Sequence, residues 1–234
     1  MDKYRSDSLY SYTLGMSLTI EALLHRGAYV KEVLLSSKAS RNAQLEDLLE
    51  LCRKNGVSWR YDDRSIEKLS VKENCYCIGI FEKYECSLRL KRHVVLCGFS
   101  DYGELGTVLR SAVAFDFHDV VLVDCDLDYC DPRCIRASMG SIFQCELVRF
   151  SDMKEYKKRY GQYRLYPFVS QADQELSATT FIEPYSILIA QDYYGLDAEY
   201  PDGICIDHRS QKEVSLSVRS SIILESAYAQ KRRR

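Results

Sequence analysis

The sequence predicts an α/β protein of two domains, and three observations carry that expectation. Amphipathic helical stretches alternate with short, β-rich apolar runs along the whole length, the pattern of sheets covered by helices. The chain has 234 residues, room for two domains of ordinary size. The charge-rich stretch from Glu82 to Arg92 interrupts the apolar pattern and is the expected linker. Hydrophobic residues make up 46% and charged residues 28%, enough to bury a core and too balanced for disorder.

The first domain is expected over residues 1–87. Leu14, Leu18, Ala22 and Leu23 recur at helical spacing before Gly27, which is expected to close the helix in a left-handed cap. Residues 29–35 read as a strand. Leu45, Leu48, Leu49 and Cys52 then mark one face of a second helix, closed by Asn55-Gly56. A strand at 57–61, a short helix at 65–69 and a β-rich run at 75–81 complete a small α/β unit.

The second domain is expected over 93–234. A strand at 94–97 runs into Gly98 and the turn Asp101 to Gly106. The helix that follows puts Leu105, Val108, Leu109, Ala112 and Val113 on one face, and a strand at 120–123 comes next. That is one βαβ unit, which implies parallel strands and a right-handed crossover. Asp131 and Pro132 open another helix as N-cap and first-turn residue. Strands are expected at 145–148, 163–169, 186–190 and 203–206. A last helix carries Leu216, Ile223, Leu224 and Ala227. The sheet should hold five or six mostly parallel strands.

Several function classes are disfavoured. No apolar run approaches the ~20 residues of a membrane span, and the first residues have no apolar signal core, so a soluble, cytoplasmic protein without membrane partners is expected. The ten cysteines lie in apolar segments at irregular spacing, as reduced core thiols do. Cys125, Cys130 and Cys134 match no paired zinc pattern, and no metal is expected. Asp124, Asp126 and Asp128 begin like a calcium loop, but its glycine and glutamate positions hold Tyr129 and Ile135. Gly103 and Gly106 fall short of the dinucleotide fingerprint. A net charge of −2 excludes a globally basic nucleic-acid binder and leaves room for a local patch, such as Lys231 to Arg234, which is equally a solvated helix end.

Three segments, in order, carry a family resemblance. Asp101-Tyr102-Gly103-Glu104-Leu105-Gly106-Thr107-Val108-Leu109-Arg110 resembles the motif D-P-G-N-x-G-x-x-x-R. Asp131-Pro132-Arg133-Cys134-Ile135-Arg136-Ala137-Ser138-Met139-Gly140-Ser141-Ile142-Phe143 resembles N-P-x-x-x-R-A-S-x-G-x-x-F. Ala190-Gln191-Asp192-Tyr193-Tyr194-Gly195, Ile206-Asp207-His208 and Ser215-Leu216-Ser217-Val218-Arg219 follow the third, G-N-E-G-x-G, I-P-M and S-L-N-V-S. These are the motifs of the SpoU/TrmH family of RNA 2′-O-methyltransferases, in the SPOUT superfamily. Tyr12-Thr13-Leu14-Gly15 and Ile20-Glu21-Ala22-Leu23 resemble the start of a ribosomal-protein-L30e-like domain.

The resemblance implies a trefoil-knot (SPOUT) domain behind a small L30e-like RNA-binding domain, a homodimer, and S-adenosyl-L-methionine as cofactor. The RNA would be ribosomal or transfer RNA. By carry-over, Leu188, Ala190, Gly195, Ile206, Ser215, Leu216 and Val218 line the cofactor pocket. Arg110, Asp192 and Ser217 are the catalytic candidates, while Arg136 and Arg219 contact RNA, with filling space near the cofactor as the alternative role of Arg219. Arg110 is expected on the first turns of its helix, at the carboxyl edge of the sheet, with an ion pair to Asp101 or Glu104 as the alternative role. Glu104, Tyr193, Ser217 and Arg219 depart from the family letters, so a catalytically silent RNA-binding or regulatory homologue is the second reading.

Overall fold

The computed structural model describes residues 3–70, 74–89, 91–191, 195–207 and 214–232. They form two compact units, Met1–Tyr84 with Asp128–Gln144, and Glu85–Leu127 with Cys145–Arg234.

The first unit begins with β1 (Tyr10–Tyr12), α1 (Met16–Arg26), β2 (Val30–Leu35) and α2 (Ala43–Asn55), followed by β3 (Ser58–Tyr61), α3 (Asp63–Leu69) and β4 (Cys77–Glu82). Its sheet has the order β1-β4-β2-β3, with β3 parallel to β2 and the other pairs antiparallel. Local chemistry sets most boundaries. The Asn42 side chain accepts from the Leu45 amide to start α2, and Gly56, at φ 67°, ends it in the left-handed region. Asp62 caps α3 in the same way through Ser65. Tyr12, Leu34, Ile66, Leu69, Cys75 and Ile78 form a buried cluster.

Two features differ from the sequence reading. Gly27 sits at φ −53°, so the expected left-handed cap is absent and α1 tightens into a 3₁₀ turn, Gly27–Tyr29. A glycine is required there by proximity, because a Cβ would lie 2.0 Å from Oδ1 of Asn55. Strand β1, only three residues long, was not expected; it exists because Tyr12 pairs opposite Ile80 of β4.

The second unit opens with β5 (Arg92–Cys97), α4 (Tyr102–Ala114) and β6 (Asp119–Val123). The chain then returns to the first unit for α5 (Pro132–Ala137) and the 3₁₀ turn Ser141–Gln144. Asp131 caps α5 and Pro132 is its first residue, as the sequence indicated. The segment is held against the first unit's own elements: Ser11 Oγ donates to the Cys130 carbonyl over 2.5 Å, and the rings of Phe143 and Phe81 meet edge to face at 5.3 Å.

The second unit resumes with β7 (Glu146–Phe150), α6 (Met153–Tyr160), β8 (Arg164–Pro167), β9 (Gln174–Glu175) and β10 (Tyr185–Ala190). It ends with α7 (Leu196–Glu199), β11 (Ile204–Cys205) and α8 (Leu216–Arg232). Five strands make a wholly parallel sheet in the order β7-β6-β5-β10-β8. Its middle strands are buried throughout, as parallel sheets require. The run expected as a further strand near 203–206 instead forms β11, which pairs with β9 in a separate two-stranded sheet. Helix α6, capped by Asp152, is also new; its residues are mostly polar, and only Tyr156 is buried.

One face of the large sheet packs a cluster that includes Val95, Val121, Leu188, Ala190, Tyr156 and Leu196. Helices α4 and α8 pack on each other, with Ser111 and Ser221 hydroxyls 2.9 Å apart. None of the ten cysteines is in a disulfide, and most of them are buried. Among the described residues no helix is long and apolar enough to cross a membrane.

Candidate active site

From β5 the chain steps outward through β6 to β7, then crosses to the other side, where β10 lies directly beside β5. The crevice outside the carboxyl ends of β5 and β10 is therefore a topological switch point, the place where open parallel sheets bind ligands.

The residues at this edge are tied together. After Cys97, Gly98 turns at φ 69° and its amide donates to the Val123 carbonyl, joining the ends of β5 and β6. Ser100 donates through both its amide, 2.8 Å, and its hydroxyl, 3.1 Å, to Oε1 of Gln191, joining the ends of β5 and β10. Asp101 then caps α4 by accepting from the Glu104 amide. Glu104 thus lies in the first turn of a helix, where its charge suits the helix dipole. The thiol of Cys97 is pushed up to about 11, chiefly by burial and then by Asp124 and other neighbours, so it is no thiolate nucleophile at neutral pH.

The cofactor candidates fall into two groups. Leu188 and Ala190 are buried in β10, and the Leu188 carbonyl accepts from the Phe168 amide. Gly195, at φ 74°, leads into α7, while Ser170 next to β8 binds Asp197 through its amide and hydroxyl, each over 2.7 Å. Ile206 is half-buried after β11. Ser215 is exposed, Leu216 is buried, and Val218 is 48% exposed at the start of α8.

The catalytic candidates are placed differently from one another. Arg110 is exposed and makes no hydrogen bond or ion pair among the described residues, so the pairing with Asp101 or Glu104 does not form. It also sits in the third turn of α4, roughly 12 Å along the axis from Tyr102, not in the first turns as expected. Ser217 is half-buried in the first turn of α8. Asp192 lies outside the described residues, as do Tyr193 and His208.

Of the two RNA candidates, Arg136 is exposed in α5 of the first unit. Arg219 turns inward: it is 5% exposed, and its Nη2 donates to the Ala190 carbonyl over 2.5 Å. The sequence reading assigned no part to Gln191 or Ser100. The signal for Gln191 was available, since it is the first polar residue after an unbroken buried strand; Ser100 gave none.

Residues 91–202 match the family model for the SpoU rRNA Methylase family. No curated relative matches significantly. Among solved structures, the chain is similar to an RNA 2′-O ribose methyltransferase at 20% identity and TM-score 0.77, over 97% of this chain and 91% of that one. It is similar to the SpoU methyltransferase AviRb from Streptomyces viridochromogenes, in complex with AdoMet, at 18% identity and TM-score 0.78, over 97% and 92%. It is also similar to the AdoMet-bound rRNA methyltransferase from Sinorhizobium meliloti, at 19% identity and TM-score 0.76, over 96% and 89%. At these identities the likeness to solved structures is one of fold.

Proposed function

We infer that this chain, whose residues 91–202 match the SpoU rRNA Methylase family model, is an S-adenosylmethionine-dependent RNA ribose 2′-O-methyltransferase. The observation that carries the reading is that the family match spans β5 to α7, and with them the switch-point edge at Gly98, Ser100, Ala190 and Gln191.

The residues at that edge suit the cofactor. Ala190, Leu196 and Leu216 are buried apolar residues of the kind an adenine ring packs against, and Arg219 places a guanidinium beside β10 that can meet a carboxylate. When bound, S-adenosylmethionine supplies an activated methyl group. The protein must hold a ribose 2′-hydroxyl in line, take up its proton and stabilise the negative charge that develops on its oxygen. Arg110, whose charged fork has no partner among the described residues, is assigned the developing oxyanion. Ser217 offers a donor and acceptor on α8, and Asp192 is the remaining acidic candidate. Gly195, Ile206, Ser215 and Val218 complete the proposed cofactor wall, with backbone groups doing most of the recognition.

The assembly belongs to the same proposal. Residues 1–87 act as the L30e-like RNA-binding domain, residues 93–234 as the knotted catalytic domain, and two copies pair so that Arg110 of one serves the ribose oxygen near the cofactor of the other. Its exposure in the third turn of α4 fits service across such an interface. The substrate is ribosomal or transfer RNA, and the protein works in the cytoplasm without a metal. Arg136 contacts that RNA. Glu104, Ser217 and the inward Arg219 favour a second reading, a silent RNA-binding homologue that has kept the fold.

Calorimetry with S-adenosylmethionine, followed by tritium transfer from labelled cofactor to total RNA, tests the proposal. Cofactor binding with label recovered as 2′-O-methylnucleoside is the expected result. Binding of RNA with no cofactor binding and no transfer would establish the silent reading in its place.

A further inference from the structure

The first unit, Met1–Tyr84 with Asp128–Gln144, holds two adjoining cavities of about 680 and about 240 Å³ that share Leu14, Ser70 and Arg136 as walls. Together they fall in the size range of small-ligand sites, ~300–1,000 Å³. The larger is lined by four cationic side chains, Lys3, Lys68, Arg133 and Arg136, against two acids, Glu67 and Asp131. That local excess of positive charge stands on a chain whose net charge is −2. Asp131, moreover, is 5% exposed and already engaged, accepting from the backbone and guanidinium of Arg133.

The same cavity has an aromatic wall that is fixed in advance. The rings of Tyr4 and Tyr12 stand edge to face at 6.3 Å. The Tyr4 hydroxyl donates to Asp128, and the Lys83 ammonium lies 4.8 Å over the Tyr4 ring. Burial, and then the bond to Asp128, push the Tyr4 phenol far above its ordinary range, so it stays a neutral donor. A ring held this way loses little freedom when a ligand arrives.

The smaller cavity is different in kind. Leu14, Met16 and Leu18 give it apolar walls, while Ser17, Ser70 and Asn74 offer donors and acceptors at its edge. Met139, which also lines it, sits at φ 51° and is 54% exposed. A methionine gains nothing from the left-handed region and nothing from exposure, and residues held in such conformations cluster at ligand-binding sites. The fold enforces the arrangement: the next residue, Gly140 at φ 83°, passes so close to α1 that a Cβ would lie 2.8 Å from that of Glu21.

We propose that this groove binds one splayed nucleotide of single-stranded RNA, the base entering the smaller cavity beside Met139 and the backbone phosphates lying along Arg136, Lys3 and Lys68. Apolar walls with a polar edge suit a nucleobase, and a positive rim suits the phosphates on either side of it. Bases in a duplex are stacked out of reach of such a pocket, so the site discriminates by strand state. The inference rests on the RNA reading above and goes beyond it by naming the form of RNA and the residues that hold it.

Fluorescence anisotropy with a labelled single-stranded RNA of ~12 nucleotides, within the usual footprint of such sites, tests it. Arg136→Glu is expected to weaken binding at least ~10-fold and to lower the salt slope by about one. Ser17→Phe, which fills the small cavity and leaves every charge in place, is expected to weaken the single strand while leaving weak duplex binding unchanged. Equal affinity for duplex and single strand, or wild-type affinity in either variant, would overturn the proposal. Cofactor binding and tritium transfer, measured on the same proteins, keep the two readings apart. Wild-type transfer and RNA affinity in Arg136→Glu would sink the groove alone, whereas RNA binding that follows these expectations in a protein without transfer would sink only the enzyme.

Discussion

The guanidinium of Arg219 donates to the main-chain carbonyl of Ala190 across 2.5 Å, so a cation at the start of α8 is buried against the last residue of β10. Removing it leaves a buried acceptor unsatisfied, which costs about 1–3 kcal/mol. Arg219→Ser, the small residue closer to the family letter, is therefore expected to lower the urea midpoint with an unchanged slope. An RNA-contacting arginine would behave in the opposite way, with stability unchanged and RNA affinity reduced. Equilibrium unfolding and RNA binding, measured side by side, separate the two roles.

Arg110 is the residue whose loss should matter most for turnover. Arg110→Ala is expected to reduce methyl transfer by ~10²–10³-fold, as removal of one preorganised donor does elsewhere, with cofactor affinity unchanged. Arg110→Lys should restore little, because an ammonium cannot reproduce the planar fork. Single-turnover transfer with tritiated cofactor and calorimetry on the same variants provide the measurement. Full turnover in the alanine variant would remove the assigned role.

His93 gives stability a pH dependence whose sign follows from its burial. Its Nε2 bonds the Tyr156 hydroxyl at 2.8 Å, its Nδ1 is buried with no partner among the described residues, and burial lowers its pKa from 6.5 to about 4. Between those values the unfolded chain carries the extra proton, so stability rises with pH there. As pH falls from 6.5 to about 4 the loss accumulates to roughly 3 kcal/mol, and above 6.5 it vanishes. His93→Phe should flatten this part of the profile in urea titrations between pH 4 and 7.

Gly27 and Asn55 should be coupled. The Asn55 amide donates to the carbonyls of Leu23, 3.2 Å, and Leu51, 2.9 Å, in the space that a Cβ on residue 27 would take. Gly27→Ala and Asn55→Ala are each expected to destabilise the protein by about 1–2 kcal/mol. The double variant should cost clearly less than their sum, since the collision exists only while both side chains are present. Additive effects in the double-mutant cycle would contradict the packing.

Much of the site's frame was legible because it is written in local chemistry. Asp131 read as a cap since a short carboxylate before a helix satisfies the first amides whatever surrounds it. The buried runs of β5, β6 and β10 read as parallel strands since both faces must be apolar. The order of the three motifs carried the family resemblance before any geometry was available.

Side-chain direction and long-range partnership were decided by the tertiary structure. Arg219 is open in sequence between a phosphate contact and a space-filling role near the cofactor, and is buried because the Ala190 carbonyl, 29 residues earlier, is available to receive it. Gly27 reads as a left-handed cap and is a glycine because of Asn55. Residues 128–144 follow β6 in the chain yet pack with the first unit through Ser11, Phe81 and α1. Caps and periodicity depend on neighbours within a turn or two of the chain. Burial of a charge, a close approach or a choice of packing partner depends on residues that only the folded chain brings together, and no local pattern encodes them.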